Sequence, residues 1–70
     1  MPDVPAHITG TVWKIEKQVG EEVKAGDVLV ILESMKMEMP VEAPEDGTVK
    51  EVRCKEAQAV NEGDVLVVLG

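Results

Sequence analysis

Two copies of one segment make up nearly the whole chain. When the sequence is displaced by 37 positions, residues 4–32 align with residues 41–69, and 12 of the 29 aligned pairs are identical. The identical pairs, such as Gly26 and Gly63, are apolar or turn residues, so the backbone plan repeats rather than the surface. Two units are too few for a solenoid. The repeat therefore predicts one closed body with approximate two-fold symmetry.

The size and composition of the chain restrict what it can build. At 70 residues it has the length of one small domain, residues 1–70, without room for a deep substrate cleft. Its one cysteine, Cys54, has no intrachain disulfide partner, and one cysteine with one histidine cannot complete a four-ligand zinc site. The hydrophobic content of 44% includes only one aromatic residue, Trp13. Its richness in Val, Leu and Ile favours short β-strands around a small core.

The charge of the chain indicates which partners it does not bind. Fourteen acidic and seven basic residues give a formal net charge of −7, which disfavours binding to nucleic acid or to anionic lipid. The sequence contains no apolar run long enough to span a membrane. Residues 1–3 also lack the basic and apolar regions of a secretory signal. We therefore expect a cytoplasmic protein without a membrane segment.

Periodicity and turn residues predict an all-β fold of two small antiparallel sheets, closed as a sandwich or flattened barrel. The expected central strands are residues 28–33 and 65–69, which are continuous Val, Leu and Ile runs. Each follows a repeated corner, 23–27 or 60–64, whose glycine suits a positive φ. The remaining elements are an edge strand at 3–8, strands at 11–17, 37–43 and 48–54, a loop at 19–22 and a corner at 55–59.

Residues 34–36 then occupy the tip of a hairpin between strands 28–33 and 37–43. Hairpin tips favour Asn, Asp and Gly because these residues tolerate the required backbone angles, so Met35 and Lys36 have no folding advantage there. An exposed lysine is usually a solvated charge, and a pair of methionines usually fills a core. A turn tip has no core to fill, however, and exposed methionines form adaptable contact surface. Without a neighbouring cation cluster or apolar pocket to activate it, Lys36 is interpreted as a target of modification rather than a catalyst.

The segment Glu33-Ser34-Met35-Lys36-Met37-Glu38 resembles the signature of the biotinyl domains of biotin-dependent carboxylases, Glu-Ala-Met-Lys-Met. Residues 10–12, 23–27, 41–44 and 46–49 also fit that family's pattern, so the resemblance covers nearly the whole chain. Ser34 departs from the pattern, as one small residue in place of another. The long thumb of some bacterial biotin carriers has no counterpart between residues 16 and 23, so the chain resembles the short form of the domain.

The resemblance implies a pseudo-two-fold flattened β-barrel and a non-catalytic carrier that serves a biotin-dependent carboxylase. It implies that a biotin protein ligase joins biotin to the ε-amine of Lys36. The residues expected to contact the ligase are Glu33, Ser34, Met35, Met37 and Glu38. Tethered biotin would then carry a carboxyl group between biotin carboxylase and carboxyltransferase active sites, and tethering would raise its effective concentration. The carrier is expected to act as a monomer, either free-standing or as part of a longer protein.

Two alternatives use the same fold. Lipoyl domains share it and usually carry Asp-Lys-Ala at the tip, so a lipoate ligase is the alternative enzyme for Lys36; the two flanking methionines favour biotin. An unmodified barrel is the second alternative, in which Met35 and Met37 would form a docking patch of an interaction module. The acceptor substrate and the carboxylase that is served are not encoded in this chain.

Overall fold

The computed structural model describes residues 3–70, and these residues form eight β-strands without a helix. The strands are β1 (Asp3–Pro5), β2 (Gly10–Ile15), β3 (Glu22–Val23), β4 (Val28–Ser34), β5 (Met37–Glu42), β6 (Gly47–Val52), β7 (Ala59–Val60) and β8 (Val65–Leu69). Residues 3–70 thus contain no helix able to cross a membrane.

The strands form two four-stranded sheets, ordered β1-β8-β6-β3 and β5-β4-β2-β7, and every pairing is antiparallel. We call the second one the hairpin sheet, because it contains the β4–β5 hairpin. The predicted all-β fold is confirmed. The predicted central strands are also confirmed, since β4 and β8 each have a neighbour on both sides.

The sequence repeat is a structural repeat. A shift of 37 residues places β2 on β6 and β3 on β7 with the same bounds, and it places β1 on β5 and β4 on β8. The same shift converts the order of the first sheet into the order of the hairpin sheet. The predicted pseudo-two-fold symmetry is therefore present in the strand pairing as well as in the strand positions.

The two repeats are interlocked rather than placed side by side. The first strand of each repeat pairs with the last strand of the other, as β1 does with β8 and β5 with β4. The short strands also cross over, because β3 pairs with β6 and β7 pairs with β2. Each sheet thus contains strands from both repeats, so neither repeat can form its sheet alone.

The two repeated corners have the same hydrogen bonds. Asp27 accepts a bond from the backbone N–H of Lys24 at 2.9 Å, and Asp64 accepts one from Asn61 at 2.8 Å. The corner glycines, Gly26 and Gly63, have φ values of 93° and 95°. The positive φ of these glycines is as predicted, and the aspartates have a structural role, because short acceptor side chains and glycine stabilise tight turns.

A continuous apolar core lies between the sheets. The fully buried side chains come from both repeats: Leu29, Leu32, Leu66, Leu69, Val12, Val30, Val49 and Val67. Among the described residues no polar or charged side chain is buried, so the core needs no internal hydrogen bonds. Burial of apolar surface drives this packing, at roughly 25 cal/mol per Å² removed from water.

Several predicted boundaries were wrong. The first strand ends at Pro5 instead of residue 8, because Ala6 instead forms backbone bonds with the corner at Gly63 and Asp64; Pro2, used in that prediction, lies outside the described residues. Strands β3 and β7 replace parts of a predicted loop and of three predicted corners. Two-residue strands are too short to show alternation.

One pair of symmetry-related residues provides a test of backbone strain. Gly20 and Ala57 occupy matching turns, with φ values of 94° and 70°. A Cβ atom at Gly20 would meet nothing within 4 Å, so a substitution there changes only backbone preference. An L-residue in this region costs about 1–2 kcal/mol, partly offset by the greater chain entropy of glycine, roughly 0.5–1 kcal/mol.

We predict opposite effects from exchanging these residue types. Ala57→Gly should raise the free energy of unfolding by roughly 0.5 kcal/mol, and Gly20→Ala should lower it by a similar amount. Urea denaturation of the two variants measures both changes. Destabilisation by Ala57→Gly would show that Ala57 is not strained.

Candidate functional site

Met35 and Lys36 form the two-residue turn that joins β4 to β5. The last paired residues before and after the turn are Ser34 and Met37. Met35 and Lys36 have φ values of 54° and 64°. Positive φ at both central residues is the signature of a type I′ turn, which matches the twist of the strands it joins. The predicted hairpin tip is confirmed for Met35 and Lys36, whereas Ser34 belongs to β4 rather than to the turn.

The residues in this turn are poorly suited to its geometry. A type I′ turn favours Asn-Gly or Asp-Gly, because other L-residues are strained at positive φ. Two such residues in succession cost about 2 kcal/mol if each costs about 1 kcal/mol. The turn therefore places an unfavourable residue pair at the most projecting part of the hairpin, which is typical of strain retained for a function.

The structure brings the six predicted site residues together at this tip. Met35 is 91% exposed and Met37 is 56% exposed. Lys36, Glu33 and Glu38 are exposed as well, whereas Ser34 is half-buried. Glu33 lies directly opposite Glu38 in the β4–β5 register. The outcome is an exposed amine between two exposed thioethers, with two facing carboxylates at the base of the turn.

Gly10 lies beside the end of β4 and supports the hairpin by allowing a close approach of the two strands. This role was not evident from its position in the sequence. Gly10 is the first residue of β2 and packs against the end of β4. A Cβ atom at Gly10 would lie 2.6 Å from the carbonyl oxygen of Glu33 and 3.4 Å from Cβ of Ser34. Only glycine permits this close approach. The available indication in the sequence was that Gly10 and its repeat-related residue, Gly47, are both glycine.

The tip contains no catalytic machinery among the described residues. The one ion pair within residues 3–70 joins Glu51 to Arg53, far along the chain from Lys36. No group of three or more His, Cys, Asp or Glu in this part of the chain could hold a metal. Two open depressions, of about 490 and 430 Å³, are lined by other residues. The chemistry available at the tip is that of a single accessible amine.

Cys54 is not an alternative nucleophile. Its side chain is 5% exposed, and burial raises the pKa of the Cys54 thiol. Both effects disfavour the thiolate, which is the reactive form of cysteine. Although Arg53 and Lys55 flank Cys54 in the sequence, the structure supports a buried, unreactive thiol.

Comparison with known families decides where this chain belongs. The profile of the family described as "Biotin-requiring enzyme" matches residues 1–69. The chain belongs to this biotin/lipoyl family. The resemblance inferred from residues 33–38 is thereby confirmed at the level of the family.

Members of the biotin/lipoyl family with similar length and with much greater length both match. The chain is 47% identical to a Biotin/lipoyl attachment protein of Bacillus subtilis, over 94% of this chain and 90% of that one. It is 40% identical to the Biotinylated protein TB7.3 homolog of Mycobacterium leprae, over 96% and 94%. A solved urea carboxylase of Kluyveromyces lactis matches with a TM-score of 0.94 and 36% identity, over 99% of this chain but 6% of that one.

The strain in the turn leads to a prediction about stability. Met35→Asn should raise the free energy of unfolding by roughly 0.5–1 kcal/mol, because asparagine tolerates positive φ better than methionine does. Met37→Asn, in strand β5, should not. Chemical denaturation of both variants checks this, and a turn variant less stable than the parent would contradict the assigned strain.

The close approach at Gly10 leads to a second prediction. Gly10→Ala should destabilise the fold by roughly 1–3 kcal/mol, because the added methyl group meets backbone that must move. It should also shift the amide NMR resonances of residues 33–37. Gly47→Ala, whose Cβ atom would lie 3.3 Å from the Gly70 carbonyl oxygen, is the milder matched control. Equal losses in the two variants would show that Gly10 has no special role in supporting the hairpin.

Proposed function

We propose that this chain is a biotin carboxyl carrier and that Lys36 is the residue to which biotin is attached. The observation that carries the proposal is the presentation of Lys36 in a strained type I′ turn, in a chain of the biotin/lipoyl family. Nothing in the packing of residues 3–70 requires methionine and lysine at these two positions. A function of these two residues other than folding accounts for their presence.

Attachment of biotin needs a lysine amine that an enzyme can enclose. The described contacts of Lys36 include no salt bridge, and Met35 and Met37 offer flexible apolar surface on both sides of it. In the proposed reaction, the ε-amine of Lys36 attacks the acyl carbon of biotinyl-adenylate held by a biotin protein ligase. A carbon–nitrogen bond forms, AMP leaves, and the amine loses a proton. Glu33, Ser34, Met35, Met37 and Glu38 are the proposed contacts of the ligase.

The folded chain then acts as a rigid handle for the modified lysine. When attached, biotin would hold the carboxyl group that is transferred between two active sites. The chain extends the modified lysine away from its core, because the turn lies beyond the core. It also keeps the attached group near its partner enzymes, because a tethered group is captured at a raised effective concentration. The chain itself is non-catalytic in this role.

The proposed partners are the ligase, a biotin carboxylase and a carboxyltransferase. Carboxylases are among the similar proteins: the chain is 43% identical to part of the pyruvate carboxylase of Bacillus subtilis, over 90% of this chain and 6% of that protein. The acidic charge of −7 favours partners with basic surfaces. A monomer in the cytoplasm, without a membrane or nucleic-acid partner, is part of the same proposal.

Reconstitution with purified enzymes tests the attachment site. Incubation of the recombinant chain with a biotin protein ligase, biotin and ATP should add one biotin, detected by intact mass and by a streptavidin gel shift. Lys36→Arg keeps the charge and should abolish the adduct, whereas Lys24→Arg, at an exposed corner position, should not.

Two other outcomes would contradict this proposal. Biotin on Lys36→Arg would place the attachment site at another lysine. Modification of the wild-type chain by a lipoate ligase with lipoate, and not by the biotin ligase, would identify a lipoyl carrier with the same site.

A further inference from the structure

The outer face of the hairpin sheet carries an apolar cluster that the fold does not use. Val12 is buried, and the next residue, Trp13, is the extra residue of a β-bulge in β2. Trp13 is 47% exposed, whereas Val12 is 1% exposed, so the Trp13 side chain lies on the outer side of the sheet. On the same outer side, Ile31 lies opposite both Lys14 and Pro40. We call Trp13, Ile31 and Pro40 the Trp13 face.

The symmetry-related face of the other sheet has different chemistry. The positions that match Trp13, Ile31 and Pro40 are occupied by Lys50, Val68 and Asp3. Val68 is only 7% exposed, so that face offers charge and little apolar surface. The hydrogen bonds and strand order repeat in both halves, but this outer surface does not. Folding alone therefore does not demand an exposed tryptophan here, and exposed aromatic residues are typical anchors of protein interfaces.

Acidic side chains separate the Trp13 face from the turn. Glu33 and Glu38 face each other across β4 and β5, two residue pairs nearer the turn than Ile31 and Pro40, and thus on the same side of the sheet. Like charges directly opposite each other destabilise a sheet, and neither carboxylate takes part in the ion pair found within residues 3–70. A protein that covers the Trp13 face would relieve this repulsion if it brought arginine or lysine to the acidic pair.

The position of this surface indicates which protein covers it. A lysine side chain reaches only about 6 Å from its Cα atom, so an enzyme that acts on the bare amine must press against the hairpin itself. Ile31 lies four residues before Met35, about 13 Å along the strand, within the footprint of such an enzyme. A second copy of the chain that joined this face with its strands parallel would bring the two acidic pairs together, which disfavours that arrangement.

We propose that the Trp13 face, together with Glu33 and Glu38, is a docking surface for the ligase that acts on Lys36. Trp13 enters an apolar depression of the ligase, and the two carboxylates meet basic side chains at its rim. The ligase thus recognises the folded hairpin sheet as well as the residues of the turn. The inference rests on the proposed function, in which Lys36 is the modified residue.

Steady-state biotinylation tests the docking surface. Initial rates are measured with purified biotin protein ligase at saturating biotin and ATP over a range of chain concentrations. Trp13→Lys introduces the residue type of the symmetry-related position and should raise KM for the chain about tenfold or more with little change in kcat. The matched control, Val19→Glu, also replaces an exposed apolar residue by the residue type of its symmetry-related position and should leave KM unchanged. Val19 is 62% exposed and lies in a loop that bonds to β6 of the other sheet.

A second measurement leaves the Trp13 face unsubstituted. Trp13 is the one tryptophan of the chain, so a Lys36→Arg chain labelled with 5-fluorotryptophan gives a single fluorine NMR resonance. This resonance should shift or broaden when the ligase is added. An unchanged resonance under conditions where the ligase binds the chain would overturn the inference.

The remaining outcomes separate the two proposals. A wild-type chain that takes no biotin on Lys36 shows that the proposed function is wrong. Normal biotinylation of the wild-type chain, with Trp13→Lys unaffected in KM, overturns the docking surface alone. The docking assignment is also overturned if Trp13→Lys is a normal ligase substrate but a poor carboxylase substrate, or if sedimentation shows that the wild-type chain dimerises through Trp13.

Discussion

The exchange of strands between the two repeats is the constraint on which the rest of the structure depends. Because β1 completes the sheet of β8 and β5 completes the sheet of β4, both repeats must fold together. Within each repeat, the corner is stabilised by the same local hydrogen bond, accepted by Asp27 in the first repeat and by Asp64 in the second. A chain with neither a disulfide nor a metal in its described part obtains a single closed core from this arrangement.

The same arrangement makes a strained turn tolerable. The two-fold symmetry relates the β4–β5 hairpin to the pair β1 and β8, which are the first and last strands of the described residues. Only one of these two related ends has a connecting turn, and that turn contains Met35 and Lys36 at positive φ. The core does not extend into it, so its side chains are accessible to another protein while the sheets supply the stability.

The sequence predicted the fold well at the positions where the internal repeat and the apolar runs indicated the same element. The bounds of β8, the glycine corners and the hairpin tip followed from residues 65–69, Gly26, Gly63 and the apolar strand before residue 34. The two-residue strands β3 and β7 were missed because alternation needs more residues than they have. The role of Gly10 and the exposure of Trp13 were missed for another reason: each depends on the partner strand that the residue meets in space, and a single sequence does not state that partner.

Biotin attachment to Lys36 is tested most directly by a peptide map of the protein purified from the cell that makes it. Tandem mass spectrometry should find biotin on the peptide that contains Lys36 and on no peptide containing one of the other five lysines. That result would connect the strained turn to the chemistry proposed for it. A protein with Lys36 unmodified in cells that contain active biotin protein ligase would show that Lys36 is not a site of biotin attachment.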